Sequence, residues 1–429
     1  MPSATETVTS AIHSLSIRPQ AEEKPDAPAV STTPSPASAP KQKLQWPSQN
    51  AKPGESYKYE RFLPYFDHDL HLPPLQPFEH VDPEITSPSP SGLKALDDPE
   101  PRSFLNGASI EELTPEFGSE VEGVQLHELD ARGRQQLARY VAERGVVAFR
   151  DQDFADQDPE WQLRNWGEFF GRLHIHPCSG APKDYPEFHL VYRDGKSVFN
   201  YEQDTRLTSS VWHSDVCTSF VSLPFSSSPE STQQVTYEEQ PPGLTVLFLY
   251  DSPTSGGDTG YADQRYLLHF CVHPYNRLQS FFPRGAYNHL SSNFRAYLET
   301  LQVVHSGVEQ AQFSRSGNRG GIVKREPVEN VHPLVRRHPV TGEKALFVNP
   351  QFSRRIVGLK KEESDAILGL LYKHIAQGVD FQTRVRWKPR TVVVWDNRIT
   401  AHTAIVDFAK GGARRHGARI TPQAERPFI

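Results

Sequence analysis

Cysteine is scarce in this chain: Cys178, Cys217 and Cys271 are the only three in 429 residues. Three thiols cannot build a disulfide framework, and no Cys-x-x-Cys pair offers zinc spacing, so a reducing compartment is expected, with the cytoplasm as the residual location. No apolar run reaches the length of a membrane span, and the first residues lack the charged-then-apolar layout of a secretory signal, so no membrane partner is expected. The end Arg426-Pro427-Phe428-Ile429 is no peroxisomal tripeptide. Positive charge is not in excess either: 46 Lys and Arg stand against 52 Asp and Glu, for a net charge of -6. A nucleic-acid partner is therefore not expected, and the basic clusters are local. No internal repeat is visible.

What is present divides the chain into three. Residues 1–55 are rich in Pro, Ser, Ala, Thr and Glu, with scattered apolar residues such as Leu15, Leu44 and Trp46. Such a segment cannot bury enough surface to offset the entropy of ordering it, and a disordered tail is expected. Residues 56–109 combine Tyr57, Tyr59, Phe62, Tyr65, Phe66 and Phe78 with Pro64, Pro73, Pro74 and Pro77. The prolines block regular elements, so this reads as an extended arm pinned by its rings to the domain or to a partner subunit; a homo-oligomer is compatible with it.

Residues 110–429 read as the folded domain. Residues 118–126 alternate like a strand, 131–144 carry Leu137, Tyr140 and Val141 at helical spacing, and 145–150 form a buried strand. An amphipathic helix is predicted over 161–170, ended by Gly171, with Leu173-His174-Ile175-His176-Pro177 extended after it. Downstream the pattern predicts a strand at 243–250, a tight turn at Gly256-Gly257-Asp258-Thr259 and a helix over 293–304. Strands at 332–338 and 344–349 flank the turn 339–342, and a helix over 364–375 has Glu362 and Glu363 at its positive end. Many short strands with a few covering helices suggest a mainly β jelly-roll barrel.

The chemistry concentrates in Trp212-His213-Ser214-Asp215-Val216. On a strand, His213 and Asp215 share one face, so an imidazole and a carboxylate point to the same spot. Alone, a His-x-Asp pair is nonspecific. Its company is more telling: the apolar run Thr391-Val392-Val393-Val394-Trp395 reads as a buried strand that delivers Asp396-Asn397-Arg398 and then His402. A second distant imidazole would complete a two-His, one-carboxylate set that holds Fe(II) and leaves positions open. Arg414, Arg415 and Arg419 follow as a basic cluster suited to an anionic co-substrate.

In this order the motifs resemble the taurine/sulfonate dioxygenases, Fe(II)- and 2-oxoglutarate-dependent enzymes built on a double-stranded β-helix. The resemblance runs from about Gly118 to the end. It rests on residues 170–177, the Trp-His-Ser-Asp-Val stretch, Ser255-Gly256-Gly257-Asp258-Thr259, residues 332–339, Trp395-Asp396-Asn397-Arg398 with His402, and Arg414-Arg415 with Arg419. It implies His213, Asp215 and His402 as iron ligands, and Thr259 with Arg415 as holders of the distal carboxylate of 2-oxoglutarate. It implies His176, the backbone of Val216 and Arg419 as contacts of a small sulfonate, with His174 a competitor of His176. The implied reaction consumes O2 and 2-oxoglutarate, hydroxylates the carbon bearing sulfur, and yields sulfite, an aldehyde, succinate and CO2. Four strand residues put Arg415 and Arg419 on one face about 13 Å apart, which suits two anions better than one.

The chain departs from taurine-specific relatives where those have a Tyr and an Asn near the substrate amine; Ser179 and Ser209 stand here. A broader alkyl- or aryl-sulfonate preference is therefore expected. Rival readings are the same chemistry on alkyl sulfate esters or aryloxy carboxylates, and a non-catalytic barrel with a structural metal. Two stretches, 217–235 and 266–285, read unlike the rest of the domain, and excising either improves the resemblance. They are expected to be either lid loops or, preferred here, translated intron sequence that leaves the reading frame intact.

Overall fold

The computed structural model describes residues 56–83, 87–88, 94–95, 98–193, 212, 235–266, 285–316, 321–405, 407 and 414–429. The expected tail at 1–55 lies outside the described residues, as do Cys217, Cys271 and nearly all of the two atypical stretches.

Strands β1 (Ser109–Glu112) and β2 (Ser119–Glu122) are followed by helix α1 (Ala131–Arg144), β3 (Val146–Phe149), β4 (His189–Arg193) and β5 (Leu244–Asp251). Next come β6 (Thr259–Asp263), β7 (Arg265–Tyr266), α2 (Gly285–Asn288), α3 (Ser292–Leu298), β8 (Gln302–Ser306) and α4 (Val308–Arg315). The chain closes with β9 (Glu329–Pro333), β10 (Val335–Arg337), β11 (Lys344–Leu346), β12 (Ser353–Ile356), α5 (Lys361–Gln377), β13 (Gln382–Val385), β14 (Val392–Asp396), β15 (Thr400–Ala404) and β16 (Arg415–Ile420).

A seven-stranded sheet in the order β1-β2-β3-β14-β5-β16-β4 faces three-stranded sheets, of which β13-β6-β15 carries much of the site. Period-2 alternation explains the layering. Val147, Phe149, Val246, Phe248, Val392, Val394, Ala418 and Ile420 turn outward under α1 and the Trp166 segment. Their neighbours Val146, Ala148, Leu247, Leu249, Val393 and Trp395 turn inward to meet Tyr261, Val385 and Trp387. Fully burying one such side chain contributes about 1.5–3 kcal/mol. The fold is the mainly β jelly roll with covering helices that the pattern suggested.

α1 spans the predicted residues because the Asp130 carboxylate accepts the Gly133 N–H at 2.7 Å at one end and Gly145 turns the backbone at φ 74° at the other. The 161–170 segment is helical but irregular, a π turn over Trp161–Gly167 and a 3-10 turn over Glu168–Phe170. The helix expected over 293–304 stops at Leu298. Val303 and Val304 instead pair with His332 and Val331 of β9 and with Ile356 and Arg355 of β12, because sheet partners outweigh local helical spacing. Residues 332–338 likewise divide between β9 and β10, which belong to different sheets.

The aromatic segment that opens the described chain lies on this chain's own outer sheet face. Phe62 stacks on Tyr250 at 4.9 Å, Tyr59 meets the same ring at 4.8 Å, and Tyr57 Oη bonds His416 Nδ1 at 2.7 Å.

Candidate active site

β6 and β15 pair with Tyr261 opposite His402 and Thr259 opposite Ala404, so Thr259, Tyr261 and His402 share one face, directed into the barrel. β16 lies across the interior. Ala418 and Ile420 point to the outer core, and Arg415 and Arg419 to the inner one. Two tryptophans join these strands. Trp387 Nε1 donates to Thr259 Oγ1 at 3.1 Å while the Arg415 guanidinium lies 5.6 Å from the centre of the Trp387 ring. The Arg419 guanidinium lies 5.5 Å from the Trp395 ring, whose centre is 5.2 Å from that of His402. Thr259, His402, Arg415 and Arg419 are all buried.

These pairs have distinct chemistry. The Thr259 hydroxyl, having accepted from Trp387, keeps its own proton for an anionic acceptor, and Arg415 supplies charge beside it. Around Arg419 the neighbours are imidazoles: His189 is its cross-strand partner, and the His176 ring stacks on His189 at 4.8 Å. Cys178 N–H donates to His176 Nδ1 at 3.0 Å, which puts the proton of the neutral ring on Nε2, the form that donates to an anion. His174 takes another role. Its Nε2 lies 3.4 Å from Glu238 Oε1, which Arg325 also engages at 3.3 Å, and burial pushes its pKa down despite Glu238. Arg414 turns away from the interior, onto the Tyr57 ring and Asp251.

His213, Asp215 and Val216 lie outside the described residues, as does Ser209. Trp212, which precedes His213, packs so closely on β6 that a Cβ at Gly260 would lie 3.2 Å from its ring. Gly260 pairs with Thr403, the neighbour of His402. Trp212 is thus seated against the strands that carry His402 and Thr259.

The turn before Thr259 is fixed from the rim. Asp407 accepts the Gly257 N–H at 2.6 Å, Asp258 pairs with Arg384 at 2.6 Å, and Asp258 O accepts the Ile405 N–H at 2.9 Å. At the end of β14, Asp396 bonds His338 at 2.9 Å and Arg398 at 2.6 Å. Burial raises the Asp396 pKa, but Arg398 and His338 outweigh it and hold this carboxyl well below the usual range. Asn397 accepts from Trp395 Nε1 at 2.7 Å and so aims that ring inward. Asp396-Asn397-Arg398 therefore brace the site and do not face it.

Among the described residues, His80, Asp82 and Glu425 also bring possible ligand atoms within 4.8 Å of one another. Arg398 already bonds Asp82 and lies 3.5 Å from Glu425, so a guanidinium supplies the cation there.

Sequence reasoning missed His189 and Trp387. Neither lies in a motif; His189 is marked by its register with Arg419, and Trp387 by its reach to Thr259.

The family model described as taurine catabolism dioxygenase TauD, TfdA family matches residues 109–271 and 284–421. An alpha-ketoglutarate-dependent sulfonate dioxygenase of Saccharomyces cerevisiae is 37% identical over 375 residues, covering 87% of this chain and 79% of that protein. An alpha-ketoglutarate-dependent sulfate ester dioxygenase of Pseudomonas putida is 26% identical over 322 residues, covering 72% of this chain and 88% of its own length. The crystal structure of a taurine dioxygenase from Burkholderia xenovorans superposes with a TM-score of 0.52 at 26% identity, over 75% of this chain and 90% of that one. The strand order, the inward-facing residues and these matches agree: the chain belongs to the TauD, TfdA dioxygenase family.

Proposed function

We propose that this protein is a 2-oxoglutarate-dependent sulfonate dioxygenase, with His213, Asp215 and His402 holding Fe(II). The observation that carries the reading is the pairing of two buried arginines with different companions, Arg415 with Thr259 through Trp387, and Arg419 with His189 and His176. Two separate anions fit such an interior: the distal carboxylate of 2-oxoglutarate at the first pair, and a sulfonate at the second. The donor set suits the metal, since His402 is a buried imidazole between the Tyr261 and Trp395 rings and Trp212, the sequence neighbour of the His213-x-Asp215 pair, packs on β6.

Iron, when bound, supplies the activation of O2 that couples decarboxylation of 2-oxoglutarate to hydroxylation of a C–H bond. The rest falls to this chain's residues. Arg415 and the Thr259 hydroxyl orient the co-substrate. Arg419, His176 Nε2–H and the Val216 backbone hold the sulfonate so that its α-carbon faces the reacting centre. The aromatic walls keep water out, which strengthens both anion contacts. Hydroxylation next to sulfur gives an adduct that expels sulfite and leaves an aldehyde.

The test is a panel of alkyl and aryl sulfonates, an alkyl sulfate ester and an aryloxy carboxylate, incubated with Fe(II), 2-oxoglutarate and O2. Sulfite and succinate are expected in equal amounts from sulfonates. Sulfate from the ester with no sulfite from any sulfonate would move the protein to the chemistry named for the Pseudomonas putida relative. An unreacted panel, with no visible charge-transfer band on adding Fe(II) and 2-oxoglutarate without oxygen, would mean a non-catalytic barrel.

A further inference from the structure

The stretch from His176 to Ala181 begins with a residue proposed to meet the sulfonate, and the aromatic segment that opens the described chain grips it at both ends. At the far end Tyr65 N–H donates to Ala181 O at 2.8 Å and Ala181 N–H donates to Tyr65 O at 3.2 Å, a closed antiparallel bridge. Beside that bridge, a Cβ added to Gly180 would lie 3.0 Å from the Phe66 ring and 3.1 Å from Pro64, so the segment packs where a side chain would otherwise stand. At the near end Leu72 N–H donates to Lys324 O at 2.6 Å, and Lys324 N–H donates in turn to Pro177 O at 2.7 Å. One residue on, Pro73 O accepts from Arg325 Nε at 3.2 Å, and Arg325 engages the Glu238 carboxylate that lies beside His174. Phe66, His176, Cys178, Ser179 and Ala181 are all buried, so the grip is part of the packed interior.

This grip bears on the chemistry of His176. The Cys178 N–H that donates to its Nδ1 at 3.0 Å reaches the ring because the backbone turns at Pro177-Cys178, and that bond is what leaves the ring proton on Nε2. Anchored at Pro177 and again at Ala181, the turn has little freedom to open. Freed at Ala181, it would gain conformations in which the imidazole loses both the Cys178 bond and its 4.8 Å stack on His189. Given the sulfonate reading above, on which this inference rests, we propose that Tyr65 and Phe66 are positioning residues for the substrate, which clamp the 177–181 turn and so hold His176 aimed at the sulfonate. Both precede the matched family region, which begins at residue 109. The 2-oxoglutarate side is built from other elements, with Thr259 held by the pairing of β6 with β15 and by Trp387, so the clamp acts on one substrate and not on both.

Phe66→Ala opens the clamp, and Gly180→Ala sets a single methyl against the Phe66 ring, straining the clamp without emptying the core. Both are read by initial rates of sulfite release from propane-1-sulfonate, beside a melting curve for each. Phe66→Ala is expected to lower kcat/KM for the sulfonate by about tenfold, within the range of one charge-assisted contact, while the KM for 2-oxoglutarate stays within about twofold. Gly180→Ala should shift the same quantity in the same direction by a smaller factor. In a His176→Ala background either change should cost almost nothing more, because the group that the clamp positions is already gone. Undiminished sulfonate use by either variant in folded form would overturn the inference and leave the sulfonate reading standing. So would equal losses in both substrate dependences, the mark of a general loosening, or a full further loss in the His176→Ala background. Failure of the wild-type enzyme to release sulfite from any sulfonate would reject the sulfonate reading, and this inference with it.

Discussion

If the two arginines serve two anions, neutralising each should damage a different substrate dependence. Arg415→Gln and Arg419→Gln keep most of the side-chain length and remove the charge, so they avoid the cavity that alanine would leave. Each deletes a charge-assisted contact of about 1.5–3 kcal/mol, which is about tenfold to hundredfold in an apparent affinity. For Arg415→Gln the loss should appear as a raised KM for 2-oxoglutarate, and for Arg419→Gln as a loss of kcat/KM for the sulfonate. Trp387 gives an internal control. Trp387→Phe removes the indole N–H that reaches Thr259 at 3.1 Å, a neutral bond of about 0.5–1.5 kcal/mol, together with part of the ring, so the 2-oxoglutarate KM should rise by at least about two- to tenfold. Trp387 also lies against the Arg415 guanidinium, so the double variant should fall short of the product of the single effects. The assay is initial-rate sulfite release with one substrate varied and the other saturating, beside a melting curve for each variant. Equal shifts in both substrate dependences from both arginine changes would refute the division of roles.

Asp215→Ala should abolish iron-dependent sulfite release, because two imidazoles alone hold Fe(II) poorly; turnover at the wild-type rate would remove Asp215 from the ligand set. Acid should destabilise the fold. Burial pushes His416 down to about 3 and His332 down to about 4, so the unfolded chain takes up protons first and stability is lost as pH falls below about 6.5. Between pH 7 and pH 5 each costs about 2 kcal/mol, while Glu343, pushed up to about 7 by burial, returns about 2 kcal/mol over the same range. Urea unfolding should show a net loss of at least about 2 kcal/mol, since His174, His305 and His338 are lowered too; equal stability at the two pH values would contradict this. Finally, a chain lacking 266–285 should fold and turn over at least as well as the long one, because a Cβ at Gly285 would lie 2.5 Å from Arg265 O, so the flanking backbone already meets. Transcripts that carry the stretch, together with a more active long form, would make it a lid and end the intron idea.

The legible parts of the chain were those whose signals are local. Asp130 and Gly145 mark the ends of α1 by their own capping geometry, and the apolar run before Asp396 could only be a buried strand. The motif residues proposed for the site, Thr259, His402, Arg415 and Arg419, are likewise visible as residue types at set spacings, and the structure buries all four. What escaped notice is set by distant partners. Val303 and Val304 look helical until β9 and β12 are beside them, and Trp387 sits in a polar connection, with nothing nearby to show that it reaches Thr259.

The position of β16 in the seven-stranded sheet bears on how the protein is made. The strand carrying both arginines follows β4 and β5 in the chain, yet it separates β5 from β4 and hydrogen-bonds both. Its His416 meets Tyr57 across 359 residues of sequence. Until residues 415–420 leave the ribosome, β5 and β4 each present an edge without its partner, the kind of edge that recruits other chains. A nascent or truncated chain ending before Arg415 would thus lack both interior arginines and expose two adhesive edges, so synthesis of this protein should depend on chaperone protection until β16 is in place.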